Sequence, residues 1–195
     1  MKKSESPSSE PRKLRADALR NREHLLKIAR QCFAEKGDSV TFEDITNRSG
    51  LGVGTLYRHF PTREALAEAV YLAEHQQLIT TAKEFEATLG PAEALRQWLR
   101  VFVDLLATKR AMKGSLAAFL DSNADSYSQA KNLAAETVNR LVERAVASGE
   151  IKSGVEPLDL LLALVGVSTA SPDPNWRESA LQFVDLIVAG MMVQA

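Results

Sequence analysis

The 195-residue chain is predicted to fold as an all-α protein, and three observations predict it. Proline and glycine are few, 7 and 10, so long stretches contain neither helix breaker. Ala, Leu, Glu and Arg, all good helix formers, recur throughout. Apolar residues return every three or four positions, the period of a one-sided helix rather than of a strand. With 45% hydrophobic residues the chain can bury a real core.

The elements follow in order. Residues 1–15, with Ser4, Ser6, Pro7, Ser8, Ser9 and Pro11 ahead of Arg12, Lys13 and Arg15, lack apolar periodicity and read as a flexible basic arm. From Ala16 a helix is expected: Leu25, Ile28, Ala29, Cys32 and Phe33 share one face, and Gly37 ends it. Cys32 lies on that stripe and reads as a packing residue. Thr41, ahead of Phe42, Glu43 and Asp44, supplies an N-cap hydroxyl and a first turn of acids, so a short helix starts there and stops at Ser49-Gly50. A second short helix is expected over Val53 to Phe60, closed by Pro61, and Thr62 caps the next one, with Glu64 in its first turn. About five longer helical patterns follow. Their breaks are expected at Gly90-Pro91, Lys113-Gly114, Ser122-Asn123, Gly149 to Gly154 and Ser171 to Pro174.

Charge and cysteine content narrow the partners. The net charge of −1 is unevenly spread: residues 1–63 hold 13 Lys/Arg against 8 Asp/Glu, and residues 64–195 hold 11 against 17. The first third is therefore +5 and the remainder −6, an asymmetry that suggests a polyanion partner for the N-terminal part. A single cysteine forms no disulfide within the chain, and the N-terminus has no apolar leader segment, so a cytoplasmic protein is expected. No membrane partner is expected, because the longest apolar runs, Leu160 to Val167 and Ile187 to Val193, fall short of the roughly 18 to 20 residues of a spanning helix.

Two short helices joined by a Gly-containing turn, at the end of a longer supporting helix, are the layout of a helix-turn-helix, here over about residues 41–60. Ile45, Leu51 and Leu56 supply its internal apolar contacts, and Gly50 occupies the turn position that calls for positive φ. The second helix would enter the major groove of double-stranded DNA. Gly52, Val53, Gly54 and Thr55 would lie nearest the bases, and Arg58, one turn later, is suited to a bidentate contact with guanine. Thr41, Tyr57, His59 and Arg63 would lie beside the groove as phosphate donors.

The runs Thr41-Phe42-Glu43-Asp44-Ile45, Ser49-Gly50-Leu51-Gly52-Val53-Gly54-Thr55-Leu56-Tyr57-Arg58-His59-Phe60 and Thr62-Arg63-Glu64-Ala65-Leu66 closely resemble the N-terminal domain of TetR-type, tetracycline-repressor-like regulators. The resemblance covers about residues 16–70. It implies a three-helix DNA-binding head over residues 16–62, a larger helical ligand-binding and dimerisation domain over residues 63–195, and a homodimer paired through the last two helices. It also implies repression of a pseudo-palindromic operator, relieved by an unknown small-molecule effector. Four positions depart from the family pattern: Gly52 stands where a Ser or Thr cap is common, Thr46 where Ala is usual, Pro61 where a charged linker residue is frequent, and Arg63 where Lys is more frequent.

In the C-terminal part, Leu95, Trp98, Leu99, Phe102, Val103, Leu105 and Leu106 form one wide apolar stripe. Candidates for lining a ligand pocket are Trp98, Phe102, Met112, Phe119 and Tyr127. The segments 157–170 and 175–193 are apolar on more than one face and are expected to pair between subunits through Leu161, Leu164, Val165, Phe183, Val184, Ile187 and Met191. No catalytic residue, metal site or cofactor is expected: His24, His59 and His75 are scattered, and no metal-ligand or nucleophile motif occurs. Two other readings stay open at this point. One is a helical interaction module that kept the head but lost specific DNA binding, suggested by the uncapped Gly52. The other is a helical-bundle enzyme using carboxylates such as Asp104, Asp121 and Asp125.

Overall fold

The computed structural model describes residues 10–121, 125–152, 154 and 156–193. Nine α-helices carry them: α1 (Glu10–Lys36), α2 (Phe42–Ser49), α3 (Val53–His59), α4 (Arg63–Thr88), α5 (Pro91–Ala111), α6 (Lys113–Asp121), α7 (Asp125–Ala147), α8 (Pro157–Ala170) and α9 (Trp176–Met191). A 3-10 turn, Gly37–Ser39, joins α1 to α2. The all-α expectation holds, and the breaks fall near the expected glycines, prolines and polar runs, except that α5 and α6 part at Met112, so Lys113 and Gly114 lie within α6. The Ser122-Asn123 break lies outside the described residues.

One boundary moves. Residues 1–9 of the expected arm lie outside the described residues, but Glu10–Arg15 belong to α1, which therefore starts before Ala16. Pro11 falls in the first turn, where a missing N–H costs the helix nothing and a fixed φ suits it. No further Gly or Pro occurs until Gly37.

The head forms around α1. Leu25, Ala29, Cys32 and Phe33 are buried in one cluster with Ile45 of α2, Leu56 of α3, Phe60 and Leu66. Helix α4 packs on α1 and also on α5, α6 and α7, running without a break from head to body. In the body α5 is central, packed by α1, α4, α7, α8 and α9. Its expected stripe is buried, and the Trp98 indole N–H donates to the Leu78 carbonyl oxygen at 3.0 Å. Gly90, which starts α5, has no side chain to cap it. Glu150, beyond α7, does so from a distance, accepting the Ala92 N–H at 2.9 Å.

Head and body meet at Asp38 as well as through α4 and the packing of α1 on α5. Its carboxylate accepts the backbone N–H groups of Gly114 at 2.6 Å and Ser115 at 2.9 Å, and the Ser115 hydroxyl at 2.8 Å, so a head residue caps the first turn of α6. Partial burial pushes the Asp38 carboxyl up. The bonds from Ser115 and Gly114, with the charge of Arg63, outweigh that and hold it below the usual carboxylate range. Two glycines permit the approach. Gly37 has φ +55° and leaves only 3.3 Å between a Cβ position and the Ala111 carbonyl oxygen, and a Cβ on Gly114 would stand 2.8 Å from the Asp38 carboxylate.

Candidate nucleic-acid interface and ligand cavity

The helix-turn-helix is set by local bonds. Thr41 and Asp44 form a reciprocal capping box at the start of α2: the Thr41 hydroxyl oxygen accepts from the Asp44 N–H at 3.1 Å, and Asp44 Oδ2 accepts from the Thr41 N–H at 2.9 Å. The Thr41 hydroxyl also donates to Asp44 Oδ2 at 2.8 Å. Lys36 pairs with the same carboxylate, and these partners, Lys36 first and Thr41 second, lower the Asp44 carboxyl to about 2. Gly50 ends α2 in the left-handed region at φ +69°, as the turn requires, and its N–H donates to the Thr46 carbonyl.

Helix α3 then presents two unlike faces. Leu56 is fully buried and Phe60 nearly so, whereas Val53 and Tyr57 are each 53% exposed, with Gly54 and Arg58 also exposed. Thr55 and His59 are half-buried. Gly52 is the N-cap and makes no side-chain cap bond. The Tyr57 ring is braced edge-on against Phe42 of α2, centroids 4.9 Å apart. Among the described residues Arg58 has no hydrogen bond or ion pair. A Cβ on Gly52 or Gly54 would meet nothing within 4 Å, and neither has positive φ, so the fold itself does not call for glycine at either position.

Arg63 differs from expectation. Its guanidinium donates to the Asp38 carbonyl, lies 3.7 Å from the Asp38 carboxylate and stands over the Phe33 ring at 5.8 Å. Asp38, 25 positions earlier and brought close by the fold, holds it within the chain rather than free for a phosphate.

In the body, a cavity of about 220 Å³ opens between α4, α5, α7 and α8. Two of the pocket candidates, Phe102 and Tyr127, line it, and so do Leu161 and Val165, read as pairing residues. Trp98 and Met112 do not: both are fully buried in the core, Trp98 tied to α4 and Met112 at the α5–α6 corner. Phe119 packs edge-on against Tyr127 and Tyr71, at 5.8 and 5.9 Å, and is not a wall residue. Sequence reasoning missed Tyr71, His75, Lys109 and Lys131. The signal for Lys109 was available, seven positions after Phe102 on the same face of α5. His75 is buried, lies tilted at 57° against the Tyr71 ring with centroids 4.3 Å apart, and places Nδ1 3.1 Å from the Tyr71 carbonyl oxygen. Burial first, and the Lys109 charge with it, push this imidazole below its ordinary value against the pull of that hydrogen bond. Facing a carbonyl oxygen, Nδ1 is the donor of that bond. Burial likewise pushes the Tyr71 hydroxyl up. A second cavity, about 310 Å³ between α5, α6 and α8, shares Leu106, Lys109 and Val165 with the first.

The expected pairing residues also divide. Leu161, Leu164, Val184 and Met191 are buried within the chain, so they do not face a partner, while Val165, Phe183 and Ile187 are half-buried. The exposed stripes lie beside them: Leu158, Leu162 and Gly166 on α8, and Leu186, Gly190 and Val193 at the end of the chain. One residue on a helix is a rotation of about 100°, enough to turn a core position into an outer one.

A helix-turn-helix head on an all-helical body defines a DNA-binding transcription regulator. The family described as bacterial regulatory proteins, tetR family, matches residues 25–70, and the one described as transcriptional regulator SbtR-like, C-terminal domain, matches residues 90–193. The crystal structure of a TetR transcriptional regulator from Streptomyces coelicolor is 38% identical, covering 89% of this chain and 99% of that one with a TM-score of 0.79. A TetR transcription regulatory protein from Mycobacterium vanbaalenii is 30% identical, covering 92% and 99% with a TM-score of 0.72. A curated HTH-type transcriptional regulator of Staphylococcus aureus is 34% identical over 74 residues, so this chain matches only 40% of that relative's length. The chain belongs to the TetR family of transcriptional regulators, whose members here are regulators and not enzymes. Among the described residues no helix is long and apolar enough to cross a membrane.

Proposed function

We propose that the protein is a cytoplasmic homodimeric repressor that holds a pseudo-palindromic operator and releases it when a small molecule enters the body. In this reading residues 16–62 are the DNA-binding head and residues 63–195 the ligand-binding and dimerisation domain. The observation that carries it is the two-faced α3: Leu56 and Phe60 lock the helix from behind while Val53, Gly54, Tyr57 and Arg58 stand exposed on a rigid support. Gly52 and Gly54, unneeded by the fold, let the backbone approach the duplex closely. Arg58 and Thr55 face the bases; Tyr57 and His59 position the head on phosphates, and Thr41, whose hydroxyl and N–H both donate to Asp44, fixes the start of α2. Arg63 serves chiefly to brace the head against α1. The exposed stripes of α8 and α9 form the two-fold pairing face, which sets the reading helices about 34 to 36 Å apart.

Selection from random duplexes tests this reading. A palindrome with half-sites one helical turn apart is expected, with affinity falling as salt rises. Arg58→Ala should weaken binding by about 1 to 3 kcal/mol and relax the preference at one base pair per half-site, with the melting temperature unchanged. No preferred sequence at any salt overturns the reading.

A further inference from the structure

Four cations that bridge separate helices are matched by acids, Arg30 with Glu74, Arg100 with Asp185, Arg140 with Glu86 and Arg177 with Asp104, while Arg110 donates to the Ser168 carbonyl and stands over the Trp176 ring. The cavity between α4, α5, α7 and α8 gathers two cations with no acid beside them. Lys109 places its Nζ 3.5 Å from the Tyr127 hydroxyl and 5.5 Å from the centre of that ring, and Lys131 places its Nζ 5.4 Å from the same ring. Two ammonium groups therefore converge on one aromatic side chain, and among the described residues neither has a carboxylate partner. No Asp or Glu lines this cavity or the adjoining one. Like charges gathered at an apolar wall repel each other and lack compensation. The ring holds them in place through its face, but a ring quadrupole offsets far less charge than an anion does. The remaining wall is mostly apolar, with Phe102, Leu105 and Leu161, and carries Tyr71 and His75 as its polar members.

We propose that this cavity takes a largely apolar molecule with one carboxylate, an aryl or medium-chain acyl acid, its head between Lys109 and Lys131 and its body against the apolar wall. A volume of about 220 Å³ equals roughly seven waters, room for a substituted ring or a chain of about eight carbons. This rests on the reading of the body as the effector domain and adds the chemistry of the effector.

Calorimetric titration of the full chain with octanoate, 1-octanol and octylamine, identical in length and different in charge, tests it. Octanoate is expected to bind at least tenfold more tightly than octanol, and octylamine more weakly than either. The double variant Lys109→Met and Lys131→Met keeps the apolar stems and should lower octanoate to the affinity of octanol, leaving octanol unchanged. Lys131→Glu, at an exposed position that does not endanger folding, should shift the preference from octanoate toward octylamine. Octanol or octylamine binding as tightly as octanoate, or a double variant that melts normally and keeps the full octanoate affinity, overturns the carboxylate assignment and leaves the effector cavity standing. If none of the three binds, the effector reading of this cavity falls with it.

Discussion

Asp44 joins three functions in one carboxylate: it caps its own helix, receives the Thr41 hydroxyl and pairs with Lys36 of α1. Its carboxyl, lowered to about 2, stabilises the fold only while charged. That contribution is complete above the unfolded value near 3.9 and disappears as the pH falls through about 2. Replacing Asp44 with Asn should therefore lower the melting temperature near neutral pH, and the gap from the parent should close between about pH 4 and pH 2. A gap constant across that range refutes the assignment. Gly54 gives a second test. An Ala there meets no steric obstacle, so the variant should gain about 0.5 to 1 kcal/mol of stability while binding operator more weakly. Tighter binding by the Ala variant would contradict the close-approach role. Thr41, Thr62 and Gly50 were all legible in the sequence because a cap or a turn depends on residues three or four positions away. Arg63 was not, because its partner Asp38 becomes a neighbour only through the fold.

For the helices, legibility depended on how one-sided each was. The buried face of α1 could be counted off in advance, and so could the stripe of α5. In α8 and α9 apolar residues cover both faces, so periodicity did not separate the side packed on the body from the side left open. Leu164 and Val184 were assigned outward and lie inward; Leu162 and Leu186, 57% and 70% exposed, lie outward. The distinction is measurable. Leu162→Glu with Leu186→Glu should yield folded monomers in sedimentation, with little loss of monomer stability. Leu164→Ala should leave association intact and cost about 2 to 5 kcal/mol through the cavity it opens. A dimer that survives both glutamates places the pairing face elsewhere. The aromatic candidates for the cavity divided for a similar reason, since Trp98 and Phe102 share a stripe and only packing against Leu78 separates the core residue from the wall residue.

At the scale of the whole molecule the two-part plan was readable and the joint between the parts was not. The joint rests on the unbroken α4, about 39 Å long at 1.5 Å per residue, and on two attachments off its axis: α1 packed on α5, and the Asp38 carboxylate holding the first turn of α6. A single helical strut would let the head swivel about the strut's own axis. The attachments off that axis block the swivel and leave tilt, so a body that changes shape moves the head like a crank. In a pair of such subunits the distance between reading helices then varies while their angular phase around the duplex stays constant. Removing one of these attachments with Asp38→Ala should loosen the phase: the variant should accept operators whose spacer is one base pair longer or shorter, a rotation of about 34 to 36°, with a smaller loss of affinity than the parent protein suffers.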